Sequence, residues 1–138
     1  MTHDTTYDTM HRMRSAMPGA RLAGKNAVVI GEAGRIGRAV GREFVGAGAS
    51  VVLVDRRAEQ VRAAAESCTQ GGPGECTAVA VDLRTLEDCV GLAEECRRVL
   101  GCVDILVNCP GGIYRAVFLD HSVDALGELW DVNVRLPF

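Results

Sequence analysis

Two glycine-bearing stretches and a few carboxylates carry whatever chemistry this polypeptide performs. Gly31-Glu-Ala-Gly34-Arg35-Ile36-Gly37 lies between an apolar run and an amphipathic one. A glycine-rich turn at such a junction lets a pyrophosphate approach the backbone and rest at the positive end of the following helix. Without a ligand, the same residues serve as a tight strand-to-helix turn with close packing at Gly37. Asp55 ends the next apolar run, eighteen residues after Gly37. A carboxylate there accepts hydrogen bonds from the hydroxyls of an adenosine ribose and repels a 2′-phosphate, which points to NAD. Arg56 and Arg57 beside it and Arg35 in the glycine loop are placed to offset that repulsion and to stack on adenine, so NADP stays open, and Asp55 is also a fitting turn or cap residue.

Other arrangements are excluded or disfavoured. Cys68, Cys76, Cys89, Cys96, Cys102 and Cys109 contain no Cys-x-x-Cys pair and have no histidine nearby in sequence. They read as thiols, and no metal site is expected. A net charge of −3 with scattered basic residues gives no electrostatic basis for binding nucleic acid or an anionic membrane. The longest apolar runs, such as Ala27 to Ile30 and Val51 to Val54, are far too short to cross a bilayer. With 48% hydrophobic residues and a mean hydropathy of +0.11, the 138-residue chain has the means to build one core. A cytoplasmic domain is expected.

The elements that must position these residues follow from periodicity. Residues 1–21 are polar and broken by Pro18 and Gly19, and read as a flexible N-terminal extension. From Asn26 onward, short apolar runs alternate with helix-length amphipathic runs, the pattern of an α/β fold with a parallel sheet covered on both faces. Strands are expected over Asn26 to Ile30, Ser50 to Asp55, Thr77 to Asp82 and Val103 to Asn108, all four buried. A first helix should use Ile36, Val40, Phe44 and Ala47 as its apolar line and stop at Gly48. A second should span Ala58 to Ser67, and a third, capped by Thr85, should bury Leu86, Cys89, Val90, Ala93, Cys96 and Leu100 before Gly101. Thr69 to Glu75 reads as an ordinary connection, and Ser122 is placed to cap a last helix through Leu126, Leu129, Trp130 and Asn133.

Leu22-Ala-Gly-Lys25-Asn-Ala-Val-Val-Ile-Gly31, followed by Gly34, Ile36 and Gly37, resembles the opening of the short-chain dehydrogenases/reductases. Further landmarks come in the family's order. Asp82 matches the position that meets the adenine ring, with Leu83 beside it. Asn108-Cys-Pro-Gly111 is similar to the family's Asn-Asn-Ala-Gly segment, and Trp130-Asp-Val-Asn133 is similar to the helix whose asparagine joins the catalytic proton relay. Ile30 in place of the usual threonine, Arg35 at a glycine position, and Cys109-Pro110 depart from the pattern.

The resemblance implies a Rossmann-like doubly wound parallel sheet with strand order 3-2-1-4, incomplete relative to the family, over residues 22–138. It also implies hydride transfer between a nicotinamide and a small-molecule alcohol or ketone. Gly31, Gly34, Arg35, Ile36, Gly37, Asp55, Arg56, Asp82, Leu83, Asn108 and Gly111 would hold the cofactor, with the glycine turn at its pyrophosphate, Asp55 at its adenosine ribose and Asp82 at its adenine. The family's catalytic site also needs a serine and a Tyr-x-x-x-Lys pair. Lys25 is the one lysine of the chain, and four residues beyond Tyr7 and Tyr114 stand His11 and Phe118. The chain is therefore expected to be an inactive front portion of an enzyme that forms homo-oligomers when complete, with an unpaired apolar sheet edge. The rival expectation is a non-catalytic dinucleotide-binding or interaction module, or a decayed remnant.

Overall fold

The computed structural model describes residues 20–31 and 34–138. Four parallel strands form one sheet in the order β3-β2-β1-β4, with β1 Asn26–Ile30, β2 Ser50–Asp55, β3 Glu75–Ala80 and β4 Ile105–Asn108. Helix α1 (Arg35–Gly46) connects β1 to β2, α2 (Ala58–Thr69) connects β2 to β3, and α3 (Leu86–Leu100) connects β3 to β4. A 3-10 turn at Phe118–Asp120, α4 (Val123–Trp130) and a π-helical turn at Asp131–Arg135 follow.

The period of two along the strands sorts the core into two layers. Ala27, Val29, Val51 and Leu53 face one way, against Val45 of α1 and Val61, Ala64, Ala65 and Cys68 of α2. Val28, Val52 and Val54 face the other way, against Leu83 and against Leu92 and Cys96 of α3, with Leu136 at the margin. This is the doubly wound arrangement that the alternation of apolar and amphipathic runs requires.

Burial is uneven across the sheet. β1 and β2 are buried at their centres, while β3 and β4 alternate between exposed and half-buried, contrary to the expectation that all four are buried. The helices lie over the middle strands, and the two marginal strands keep one side open. β3 also begins two residues earlier than its hydrophobicity indicated. Gly74 N–H donates to Val45 O and Glu75 N–H to Ala49 O, so the pairing Ser50↔Glu75 sets the register. The Thr69 to Glu75 connection is more than a spacer, because a Cβ on Gly72 would come within 2.6 Å of Gly46 Cα at the end of α1.

Two expected helix faces are rotated. The line that α1 buries is Gly37, Gly41 and Val45; of the expected line, Val40 and Phe44 pack half-buried against the core, and Ile36 is 72% exposed. A Cβ on Gly41 would sit 2.7 Å from Leu53 Cδ2, so glycine brings the helix backbone close to β2. Larger side chains on the same helix are pushed to the flanks. On α3, Leu92 and Cys96 are buried and Val99 packs beside them, whereas Leu86, Cys89, Val90 and Ala93 are exposed. Leu86 and Val90 lie about a third of a turn around the helix from that contact line.

The expected ends hold well. Thr85 caps α3 with a reciprocal bond: Thr85 Oγ1 accepts from Asp88 N–H, and Asp88 Oδ2 accepts from Thr85 N–H at 2.9 Å. Ser122 Oγ accepts from Ala125 N–H at the start of α4. Gly48 and Gly101 take φ of +90° and +78° just beyond α1 and α3. Residues 1–19, most of the expected extension, lie outside the described residues. Ala20 is buried, packs near Gly48, and belongs with the folded body.

Candidate cofactor site

All the carboxyl ends of the strands lie on one edge of the sheet, so Gly31, Asp55, Asp82 and Asn108 are brought to the same side of the molecule. β1 and β4 are neighbours although β1 precedes β2 in sequence, and the connections leave β1 and β4 toward opposite faces. The carboxyl edge at such a reversal of strand order is where ligands bind in open α/β sheets.

Gly31 is at the centre of this edge. Its φ is +85°, and a Cβ there would lie 2.6 Å from the carbonyl carbon and oxygen of Cys109 and 2.7 Å from Pro110 N. The first glycine turn and the loop after β4 therefore touch backbone to backbone. Gly31 N–H donates to Val54 O at 2.9 Å and Cys109 N–H to Ile30 O at 2.8 Å, extending the ladders on both sides of β1. The second of these bonds ties down the asparagine loop through the main chain, at the place where Ile30 offers no hydroxyl.

Gly34 is the N-cap of α1 in extended conformation and supplies no capping side chain, and the first turn of α1 carries no acidic residue. Gly34, Arg35 and Ile36 are exposed there, and Gly37 is buried beneath them. A helix start left open in this way suits an anionic group.

The two strand-end aspartates share a local device that the residue-by-residue reading missed. Asp55 Oδ1 accepts from Arg57 N–H at 3.0 Å and from Arg57 Nε at 3.2 Å. Asp82 Oδ2 accepts from Arg84 Nε at 2.7 Å. Each is an Asp-x-Arg triplet in which the arginine folds back on the carboxylate, and that repeated spacing was the available signal. The bond to Asp82 raises the Arg84 guanidinium above its ordinary range, with help from the carboxylates of Glu128 in α4 and Asp131 in the π-helical turn. Asp82 lies two residues beyond the end of β3, in a coil whose Val81 N–H donates to Asp55 O. Leu83 differs from the others, since its side chain is buried in the core against Val54 and Leu92. Arg56 is exposed at the end of β2.

Asn133 sits in the π-helical turn after α4 and holds the loop following β4. Its Oδ1 accepts from Gly112 N–H at 3.2 Å, and its Nδ2 donates to Gly112 O at 3.0 Å and to Leu129 O at 2.8 Å. The wider turn frees a carbonyl that the side chain then satisfies. Gly111 lies within 3.5 Å of Asn133 Oδ1, measured from a Cβ built on it. Asn108 Nδ2 donates to Pro137 O at 3.2 Å, so the chain's final turn also closes on this loop. Gly112 and Pro137 were not legible as partners, because both contribute only main-chain atoms. Among the described residues no group of three or more His, Cys, Asp or Glu is arranged to hold a metal ion. No helix of the described residues is long and apolar enough to cross a membrane.

A doubly wound sheet with a glycine turn, two ordered carboxylates and an asparagine loop along one edge defines a Rossmann-like domain. The short chain dehydrogenase profile matches residues 25–138. A short chain dehydrogenase of Pseudocercospora fijiensis is 32% identical over 135 residues, covering 95% of this chain and 43% of the relative. Oxidoreductase UcpA of Escherichia coli is 33% identical over 115 residues, covering 83% of this chain and 43% of the relative. Among solved structures, a dehydrogenase/reductase from Sinorhizobium meliloti superposes with a TM-score of 0.79 at 33% identity, covering 92% of this chain and 49% of that one. A hydroxysteroid dehydrogenase from Escherichia coli gives 0.75 at 32% identity, covering 85% and 49%. The chain belongs to the short-chain dehydrogenase/reductase family and spans just under half the length of these relatives.

Proposed function

We propose that this chain is the cofactor-binding portion of an NAD(P)-dependent oxidoreductase, with NAD as the principal cofactor and a small-molecule alcohol or ketone as the substrate of the whole enzyme. The observation that supports this reading is the close approach of the Gly31 turn to the Cys109-Pro110 backbone, which brings the two loops of the proposed cradle together between β1 and β4. The residues along that edge fit such a group. Arg35 and Ile36 present main chain at an uncapped helix start, and Asp55 at the end of β2 and Asp82 just beyond β3 present carboxylates.

In this reading, bound NAD(H) supplies the hydride acceptor or donor. The amides of Arg35 and Ile36, at the start of α1, would hold the pyrophosphate, while the Gly34 N–H is already bonded to Gly31 O. Asp55 would accept from the adenosine ribose, with the exposed Arg56 beside it in sequence. Asp82 and the main chain at Leu83 border the adenine, while Asn108 and Gly111 position the nicotinamide half. Asn133 acts as a positioning residue, because its amide holds the Gly112 backbone and with it the loop that borders the nicotinamide. The proton at the substrate oxygen would be moved by a tyrosine assisted by a lysine, a pair that residues 1–138 do not contain in the family's Tyr-x-x-x-Lys spacing, since the one lysine, Lys25, lies ahead of β1.

The test is calorimetric titration of the 138-residue protein with NADH, alongside a turnover assay against a panel of ketones. Saturable one-to-one binding without turnover supports the reading. Turnover of the tyrosine type by these residues alone would contradict the assignment of the catalytic pair elsewhere, and a folded protein that ignores NADH would sink the cofactor assignment.

A further inference from the structure

We propose that the outer edge of β3 and the side of α2 above it form an interface between two copies of this chain, joined about a twofold axis into one continuous sheet. In the order β3-β2-β1-β4, β3 has a neighbouring strand on one side only among the described residues. Glu75 N–H donates to Ala49 O and Val81 N–H to Asp55 O, so the odd-numbered residues of β3 turn their main chain to β2. Cys76, Ala78 and Ala80 therefore turn theirs outward, because successive residues of a strand bond to opposite sides. Edge strands are ordinarily kept from pairing by a lysine, a proline or a bulge. Glu75-Cys-Thr-Ala-Val-Ala80 contains no lysine or proline, and its pairing with β2 runs from Glu75 to Ala80 without a bulge.

The side chains beside this edge suit a copy of themselves. An open groove of about 520 Å³ runs between Arg62, Glu66 and Gln70 of α2 and Cys76, Thr77 and Ala78 of β3. Arg62 meets Glu59 only at 3.8 Å, with the two side chains 66% and 97% exposed. A pair so loose contributes little and leaves Arg62 open to another carboxylate. Glu66, one turn further along α2, has no ion-pair partner among the described residues. A cation and an anion one turn apart on one helix match the same pair on an antiparallel copy, where each contact occurs twice.

The charges also select the register. The twelve residues of α2 and the six of β3 run antiparallel, and each element spans about 17 Å, so Thr77 is level with Ala64-Ala65. With Thr77 on the axis, each Cys76 faces the partner's Ala78 and the outward main chains meet in phase. The two Thr77 side chains meet each other, a favoured cross-strand pair. Each Arg62 then faces the turn that carries the partner's Glu66. Moving the axis to Ala78, the next register the main chain permits, would set Arg62 against Arg62 and Glu66 against Glu59. The helices leave room for the pairing, since α2 packs on both β2 and β3. Seated over the gap between those strands, the two copies of α2 lie about 10 Å apart, the ordinary spacing of packed helices.

The test is sedimentation equilibrium of the full 138-residue chain over a concentration series, with circular dichroism as a check on folding. Wild type is compared with Ala78→Pro, Arg62→Glu, Glu66→Arg and the double swap Arg62→Glu/Glu66→Arg. Wild type should form dimers. Ala78→Pro removes an outward N–H and leaves the ladder to β2 intact, so its dimer Kd should rise at least about tenfold. Each single swap sets like charges together at two symmetry-related places and should raise the Kd at least about fivefold, and the double swap should return it to within about twofold of wild type. A wild type that stays monomeric would leave the groove to some other partner and overturn the proposal. A dimer indifferent to Ala78→Pro lies on another surface and would overturn it too, as would a double swap no tighter than the single ones. Should Ala78→Pro fail to fold, the exposed charge swaps decide alone.

Discussion

Replacing Gly31 with alanine tests the contact on which the cradle depends. The added methyl would lie 2.6 Å from the Cys109 carbonyl and 2.7 Å from Pro110 N, all backbone atoms that cannot rotate away. Two costs add. An alanine at φ of +85° gives up about 1–2 kcal/mol relative to glycine. Forcing a methyl into a closed contact costs about 1–3 kcal/mol more. The sum, about 2–5 kcal/mol, is a large part of the 5–15 kcal/mol that holds an ordinary domain together. Gly34→Ala provides the contrast. Its methyl would have Gly31 O at 3.5 Å as nearest neighbour, and its φ is −77°, so it should cost less than about 1 kcal/mol. Urea denaturation at equal protein concentration measures both. If Gly31→Ala unfolds within about 0.5 kcal/mol of wild type, a size usual for surface changes, the packing of the glycine turn against the Cys109 loop is wrong.

Four shorter predictions accompany it. Asn133→Leu removes three bonds to Gly112 and Leu129, so the Gly111-Gly112 amides should exchange with deuterium at least about tenfold faster, while amides of β1 and β2 are unchanged. Thr85→Ala breaks the cap of α3 and should destabilise the protein by about 1 kcal/mol in thermal or urea unfolding. Hydrogen bonds from Thr85 and Arg84 hold the Asp88 carboxyl below its usual range. That contribution is complete above the unfolded carboxylate range near about pH 4 and is lost as pH falls through the lowered folded value, so Asp88→Asn should show a shallower acid-side decline in stability below that pH. Burial pushes the Cys96 thiol up, and Cys89 and Cys102 are exposed. A thiol-labelling time course at neutral pH should therefore modify Cys89 and Cys102 well before Cys68 and Cys96.

The central fold was legible because β1 and β2 carry uninterrupted Val, Leu and Ala runs, and the glycine turn, Asp55 and Asn108 fall at their ends or at the end of β4. The helix faces were harder. Apolar periodicity found Val40 and Phe44, which pack on the core, and Ile36, which does not; α1 approaches β2 through Gly37 and Gly41, and a glycine contact leaves no hydrophobic signal. On α3 the larger apolar residues Leu86 and Val90 face away from the sheet, so side-chain size misled where position decided. At the site, Asp55, Asp82 and Asn133 were found as residues but not as pairs. Arg57 and Arg84 reach back two positions, and Gly112 and Pro137 take part only through main-chain atoms, which residue type does not reveal.

The most direct measurement of the central claim is the thermal midpoint of the 138-residue protein as NADH is added. A cradle formed by Gly31, Gly34, Asp55 and Asn108 predicts a midpoint that rises with ligand, by an increment equivalent to about 2.7 kcal/mol when NADH reaches a hundred times its Kd. The same rise should be absent with free nicotinamide. A cooperative unfolding transition that stays fixed at millimolar NADH and NADPH would contradict it.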